Sequence, residues 1–526
     1  MTTALKWPGQ DGQGSGQAAN GRPAPWPAEP ARPRRTLFAR DPAWPITVML
    51  VGWPLWWALG IGGYMPLFIA IPLGWRMYRW RATGSRRIKV PPAWGVWLLF
   101  LILMIASVTM VSQQAPGTIP SPVSHRAISW ALRAVQYVAV TVIMVYAGNL
   151  TEREYPRRRL AWQLGLVAIY GIIFGFLDLA GAGVTFTSPL SLLIPSSLQQ
   201  ADPTIYNMLH PSLNQAHLFS GRGRPSAPFI YTNWWGENVM FLAPWLLVAW
   251  RARGTRRERW QRLLATALLS VAIVPIILSF NRGVWIAVVC AGMYMAVRFV
   301  RLGGIGRLGA LVGVVLLLVV VVLASPLRGA IQTRLSSAGS ATGRANLAVL
   351  VTEGVVESPM LGYGDTRHAR GSQDSITLGR TAIGGGCSQC GNADVGVNGQ
   401  FWLLLYTDGI PAALFYVSFF AIGVWRFRRD NTPYGVAGIL VVLLSFVFMF
   451  VYTQLGPPLA FMMLGYVLLW KNDRVLRGEE EPAEEPAVQT DRWEPGITAG
   501  ARSGITAGTA GTAGAANGTL ARRRES

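Results

Sequence analysis

Charge is scarce in this chain. Only 14% of its 526 residues are Asp, Glu, Lys or Arg, where a soluble protein carries about a quarter. So little charge over so long a chain excludes an ordinary soluble domain. Acid is scarcer than base, with 25 Asp and Glu against 47 Lys and Arg, and the net charge is +22. Cysteine occurs only three times, which excludes a scaffold held by disulfides. The first 43 residues are rich in Pro, Gly, Ala and Arg and have no apolar core. That composition does not read as a cleavable signal peptide, and the first spanning helix is expected to act as the targeting signal.

Long apolar runs stand where the charge is missing. They fall at about 46–60, 62–75, 93–112, 128–148, 160–181, 235–250, 261–280, 283–300, 308–325, 399–425, 434–454 and 457–470. A helix of about 20 apolar residues crosses a bilayer core. Only helices and closed barrels satisfy their backbone groups in lipid, and these runs are continuous rather than alternating. The expected fold is therefore an all-α, polytopic transmembrane bundle of about 12 spans.

The surplus of base is topological. Basic clusters lie at 76–89, 153–159, 251–259, 298–307 and 426–429, between apolar runs. With twelve spans all five fall on one side, and arginine and lysine concentrate in short cytoplasmic loops. Both termini are then cytoplasmic. Nucleic acid is not an expected partner. Two long loops face the other side, at about 181–233 and 325–398, and loops of this length are often functional. Residues 1–43 and 471–526 read as disordered tails, the first basic and the second of low complexity.

Charges within spans point to function or to internal ion pairs. Arg133, Asp178, Glu237 and Asp408 fall in or at the edge of apolar runs, and Arg282 sits in a tight turn between two of them. Arg224 ends the first long loop, within Gly221-Arg222-Gly223-Arg224-Pro225. Arginine forks bind phosphate oxygens bidentately and keep their charge. The second long loop holds Arg344, His368 and a Cys387-Ser388-Gln389-Cys390 pair. A local disulfide suits that pair in an oxidising compartment, and a zinc site would need two further ligands at suitable spacing. No metal and no cofactor are expected.

Taken in order, these features resemble the O-antigen ligase and polymerase family of bacterial envelope enzymes. The resemblance rests on Arg224 with Asn233, on Asn281-Arg282-Gly283, and on Arg344 with Glu357-x-Pro359-x-x-Gly362-x-Gly364. It continues through Asn398-Gly399-Gln400-Phe401-Trp402 to Thr407-Asp408-Gly409, and covers about residues 45–470. It implies metal-independent transfer or polymerisation of a glycan carried on a polyprenyl diphosphate, on the outer face of the cytoplasmic membrane. The acceptor would be a lipid or another glycan. Arg224 and Arg282 would hold the donor diphosphate, with Arg344 as a third contact. Two positions depart from the family pattern. Asn281 replaces a serine, and Asn398 stands where a histidine is usual. Asparagine is no base at neutral pH, so Glu237 is the first candidate for that role and His368 the second. The competing readings are a transporter or flippase for an envelope lipid, and an inactive scaffold for polymer assembly.

Overall fold

The computed structural model describes residues 41–180, 183–196, 199, 203–216, 223–249, 256–325, 327–336, 339–369 and 393–481. These residues are mostly helical, and six helices are long and apolar enough to cross a membrane. Two are α5 (Val123–Asn149) and α6 (Arg157–Leu179). The others are the run Arg259–Leu278, α11 (Arg282–Arg301), α12 (Ile305–Leu323) and α15 (Gln400–Phe427).

The remaining apolar runs also fold as helices, but shorter or more polar ones. The first is split into α1 (Trp44–Val51) and α2 (Trp53–Ala58) at Gly52, with Pro54 at the start of the second piece. Helix α3 (Met65–Ala82) carries Arg79 and Arg81 in its last turn. Then come α4 (Trp94–Ala106) and α8 (Thr232–Ala249), while the short α7 (Pro203–Leu209) lies in the segment 181–233. The run Arg259–Leu278 divides into α9 (Arg256–Val271) and α10 (Ile273–Leu278), with Pro275 at the second start. Proline removes a backbone donor and breaks or starts a helix at each of these places.

The segment 325–398 has structure of its own: α13 (Leu327–Ser336), α14 (Gly339–Glu357), β1 (Arg367–Ala369) and β2 (Ala393–Val395). The two strands pair antiparallel, His368 opposite Asp394. The earlier long segment holds another short hairpin, Asn214–Ala216 with Gly223–Pro225. Helices α16 (Pro433–Phe448) and α17 (Pro457–Leu476) complete the bundle.

Helix α17 lies at the centre of the bundle. It packs against α5, α8 and α16, and almost every residue from Pro457 to Asn472 is buried. Small residues allow the close approach. A side chain at Gly148 would meet the Trp470 ring at 2.1 Å, and one at Gly438 would meet Leu469 at 2.3 Å. An aromatic layer of Trp97, Phe100, Tyr416, Phe419 and Tyr466 joins α4, α15 and α17. By contrast, α12 has no buried residue at all.

Helix α15 is broken. Gly409 leaves the helical region at φ 84°, ψ 173°, and Pro411 follows it. The break frees backbone groups that must find partners within the bundle. They find them on the Glu357-x-Pro359-x-x-Gly362-x-Gly364 segment. Tyr363 N–H donates to Tyr406 O at 2.9 Å, Gly364 N–H to Thr407 O at 2.8 Å, and Ile410 N–H to Pro359 O at 2.8 Å. Gly362 has φ 59°, and a side chain on it would strike the backbone of Tyr406 and Thr407. The motif thus patches a broken helix through its backbone.

Candidate functional site

Two polar assemblies occupy the bundle. The first surrounds the break in α15. Asp408 is fully buried and accepts hydrogen bonds from Ser107 Oγ and Thr407 Oγ1, both at 2.9 Å. Arg133, from α5, reaches it at 3.4 Å, donates to Gly364 O at 2.5 Å and pairs with Asp365 at 3.6 Å. One guanidinium therefore ties α5, the broken helix and the start of the β1–β2 hairpin. Arg367 and Arg126 extend the tie. Both donate to the carbonyls of Val111 and Gln113, so the hairpin is docked on the segment after α4. Burial pushes the Asp365 carboxyl up to about 6, although Arg133 draws it down.

The second assembly lies at the start of α8 and α11, around Tyr452. Asn281 caps α11, its side chain accepting from Val284 N–H at 3.3 Å. The same side-chain oxygen accepts from the Tyr452 hydroxyl. Asn281 also reaches Asn233 at 3.5 Å, and the neighbouring Thr232 hydroxyl reaches Arg224 O at 3.5 Å. Arg282 follows the cap directly, on the first turn of α11. Arg344 lies over the Tyr452 ring, 5.7 Å from its centroid. Arg224, Arg344 and Glu237 all act electrostatically on the Tyr452 hydroxyl. Four residues singled out in the sequence are thus drawn from three separate stretches to one aromatic side chain.

This arrangement suits an anion. A helix N-terminus presents free N–H groups and the positive end of the helix dipole. Arg282 adds a full charge at that point, and Arg224 and Arg344 add two more. The turn that sets Arg282 in place is tight, with Phe280 at φ 53°. Non-glycine residues in that region often mark functional sites.

Glu237 is fully buried on α8 beside Gln454, and neither of its oxygens has a well-formed hydrogen bond among the described residues. A polar file leads away from it. Gln454 N–H donates to Gln400 Oε1 at 3.0 Å, and Gln400 Nε2 donates to the Tyr137 hydroxyl at 2.6 Å. Tyr137 lies one turn of α5 beyond Arg133, so the file joins the two assemblies. Asn398 is buried at the mouth of α15, its side-chain oxygen without a hydrogen bond among the described residues. His368 belongs to the hairpin rather than to the Tyr452 cluster. It is exposed and hydrogen-bonded to Asp394, which holds its pKa above the ordinary histidine value.

Asp178 lies buried at the end of α6. Cys387 and Cys390 lie outside the described residues. Sequence reasoning missed Tyr452 and Gln454, and met Gln400 only as part of the Asn398–Trp402 stretch. The one signal was the polar Tyr452-Thr453-Gln454 that closes the apolar run 434–454.

No protein-family model matches the chain, and no curated protein matches it.

Proposed function

We propose that this protein transfers a glycan from a polyprenyl diphosphate donor to an acceptor hydroxyl, at the outer face of the cytoplasmic membrane. The observation that carries the reading is the convergence of Arg224 and Arg344 on Tyr452 at the N-terminus of α11, where Arg282 stands between Asn281 and Gly283, both against the Tyr452 hydroxyl. The finer topology belongs to the same reading. Twelve spans, with the five basic clusters and both termini in the cytoplasm, put this cluster on the outer side.

In the reaction the bond between the anomeric carbon and the donor phosphate oxygen breaks. Its electrons leave with the polyprenyl diphosphate, which gains charge. Arginines fixed in advance around that oxygen stabilise the charge more in the transition state than in the ground state. The acceptor oxygen bonds to the anomeric carbon, and its proton passes to a base. Glu237 is that base in this reading, because it lies in the same cluster and its oxygens are not committed to strong hydrogen bonds. The His368–Asp394 pair is the second choice. Repeated transfer would make a polymerase, and single transfer a ligase.

One observation favours a transporter instead. Broken helices with buried charge at the break, as at Asp408 and Gly409, recur in transporters. Purified protein given a polyprenyl-diphosphate-linked oligosaccharide and an acceptor glycan separates the two. Formation of a glycosidic product that needs Arg282 supports transfer. Movement of the intact donor across a vesicle bilayer, with no product, would replace it by transport.

A further inference from the structure

Far from the Tyr452 cluster the bundle carries a second basic concavity. Helices α15 and α17 both start near that cluster, at Gln400 and Pro457, and run away from it. Twenty helical residues rise about 30 Å. At the far end, α15, α17 and the segment before α4 enclose a groove of about 760 Å³. Ligand pockets commonly measure about 300–1,000 Å³. Lys89, Arg426, Arg428, Arg474 and Arg477 line it.

Not all of that charge is free to act. Arg474 is buried, donates to Gly148 O at 2.6 Å and pairs with Glu480 at 3.0 Å. Arg477 and Arg426 share Asp473, and Arg477 also pairs with Glu479. Lys89 and Arg428 are exposed and form no ion pair with a carboxylate among the described residues. The groove thus holds two cations beyond its carboxylates, one on the segment before α4 and one just past the end of α15. Arg428 is set in place, because it donates to Trp425 O at 2.6 Å and lies 3.7 Å from the Trp425 ring centroid. Trp425 is 67% exposed, and Val90 and Ile422 expose apolar surface beside the same groove. Exposed tryptophan next to arginine marks the headgroup level of a bilayer. Apolar wall below and cations above match an acyl chain and a phosphate.

We propose that this groove binds one anionic phospholipid by its headgroup phosphate, held between Lys89 and Arg428. Charge complementarity chooses the occupant. A zwitterionic lipid brings its own cation into an already basic groove, whereas an anionic lipid neutralises the surplus. The inference does not rest on glycan transfer, since the site lies at the other end of the bundle.

Native mass spectrometry of the full chain in detergent tests it, with dioleoyl phosphatidylglycerol and dioleoyl phosphatidylcholine added at equal concentration. The wild-type chain should retain one phosphatidylglycerol in clear preference to phosphatidylcholine. The preference should shrink as ammonium acetate is raised, because salt screens exposed charge. Those two readings need no variant. Lys89→Gln with Arg428→Gln, both on exposed side chains, should lower retention by about fivefold for each cation lost. Equal retention of the two lipids, a preference indifferent to salt, or unchanged retention in the double variant would each overturn the proposal. Displacement of phosphatidylglycerol by millimolar inorganic phosphate would also overturn it, and would mark a site for soluble phosphate.

Discussion

Arginine occurs in two settings in this bundle, and they differ in what surrounds the guanidinium. Arg133 is enclosed by a carbonyl and two carboxylates from distant parts of the chain. Arg224, Arg282 and Arg344 gather instead at a helix N-terminus, with half-exposed side chains. The first setting is closed, its guanidinium buried and paired within the protein. The second concentrates positive charge at a partly exposed helix end. A charge within a membrane protein is therefore informative through its neighbours. Its depth alone reads the same for a strut and for a binding group.

The sharpest way to break that comparison is to remove one arginine from each setting. Arg133→Ala leaves Asp408 buried without its counter-charge, and stranding a buried partner typically costs about 3–5 kcal/mol. We expect little monodisperse protein and a strongly lowered melting temperature in detergent. Arg282→Ala should melt close to the wild type but lose about 10²–10³ in transfer rate, as for one lost electrostatic contact. Arg282→Lys should recover only part of it, since lysine lacks the planar fork. If Arg133→Ala were stable, or if Arg282→Ala unfolded the protein, the two settings would not be distinct.

A third substitution bears on the closed setting alone. At φ 84°, ψ 173°, Gly409 occupies a region essentially reserved for glycine, and a side chain there would meet Met360 O at 2.4 Å. Gly409→Ala should destabilise by about 1–3 kcal/mol from the backbone strain. Thermal unfolding measures it, and the loss should be smaller than for Arg133→Ala. An equal loss would mean that the backbone patch, rather than the ion pair, holds the broken helix.

Helix positions were legible because apolar runs report the bilayer directly. Each of the twelve runs falls on helix, and six of those helices are long and apolar enough to cross a membrane. What hydropathy reports is lipid exposure, not centrality. Helix α12, the most apolar of the candidate spans, buries nothing. The central α17 carries Lys471, Asn472 and Arg474 in its buried last turns, which lowers its mean hydropathy. The same index reads 325–398 as loop, although two helices and a hairpin lie there. Arg133 and Asp408 were visible as charges, but 275 residues separate them and no local pattern joins them. The Glu357 to Gly364 pattern was visible as well, while its work is done by backbone groups that every residue type shares. Tyr452 was hidden because an aromatic residue at a helix end is ordinary until an arginine from 108 positions earlier covers it.

The smallest expected effect concerns the hairpin, which the Arg133 tie holds at its start. His368 pairs with Asp394 across the strands, and this bond raises the histidine pKa. Stability from this bond is full below the ordinary histidine value and is lost as pH rises through the raised one. Asp365, three residues earlier in the chain, is pushed up to about 6 by burial. Its contribution is also greatest at low pH, below the ordinary carboxylate range, and is lost as pH rises through about 6. Hydrogen exchange in Arg367–Ala369 and Ala393–Val395, corrected for intrinsic rates, should therefore quicken in two steps as pH rises. The upper step should be slight. Both His368 and Asp394 are more than a third exposed, at 57% and 41%, and exposed pairs contribute at most about 1 kcal/mol. Asp394→Asn should abolish the upper step and leave the lower one, which belongs to Asp365 and its contact with Arg133. Loss of both steps in that variant would mean that the hairpin opens as one unit with the Arg133 tie. The closed setting would then extend to His368, and the histidine would no longer be free to serve as a base.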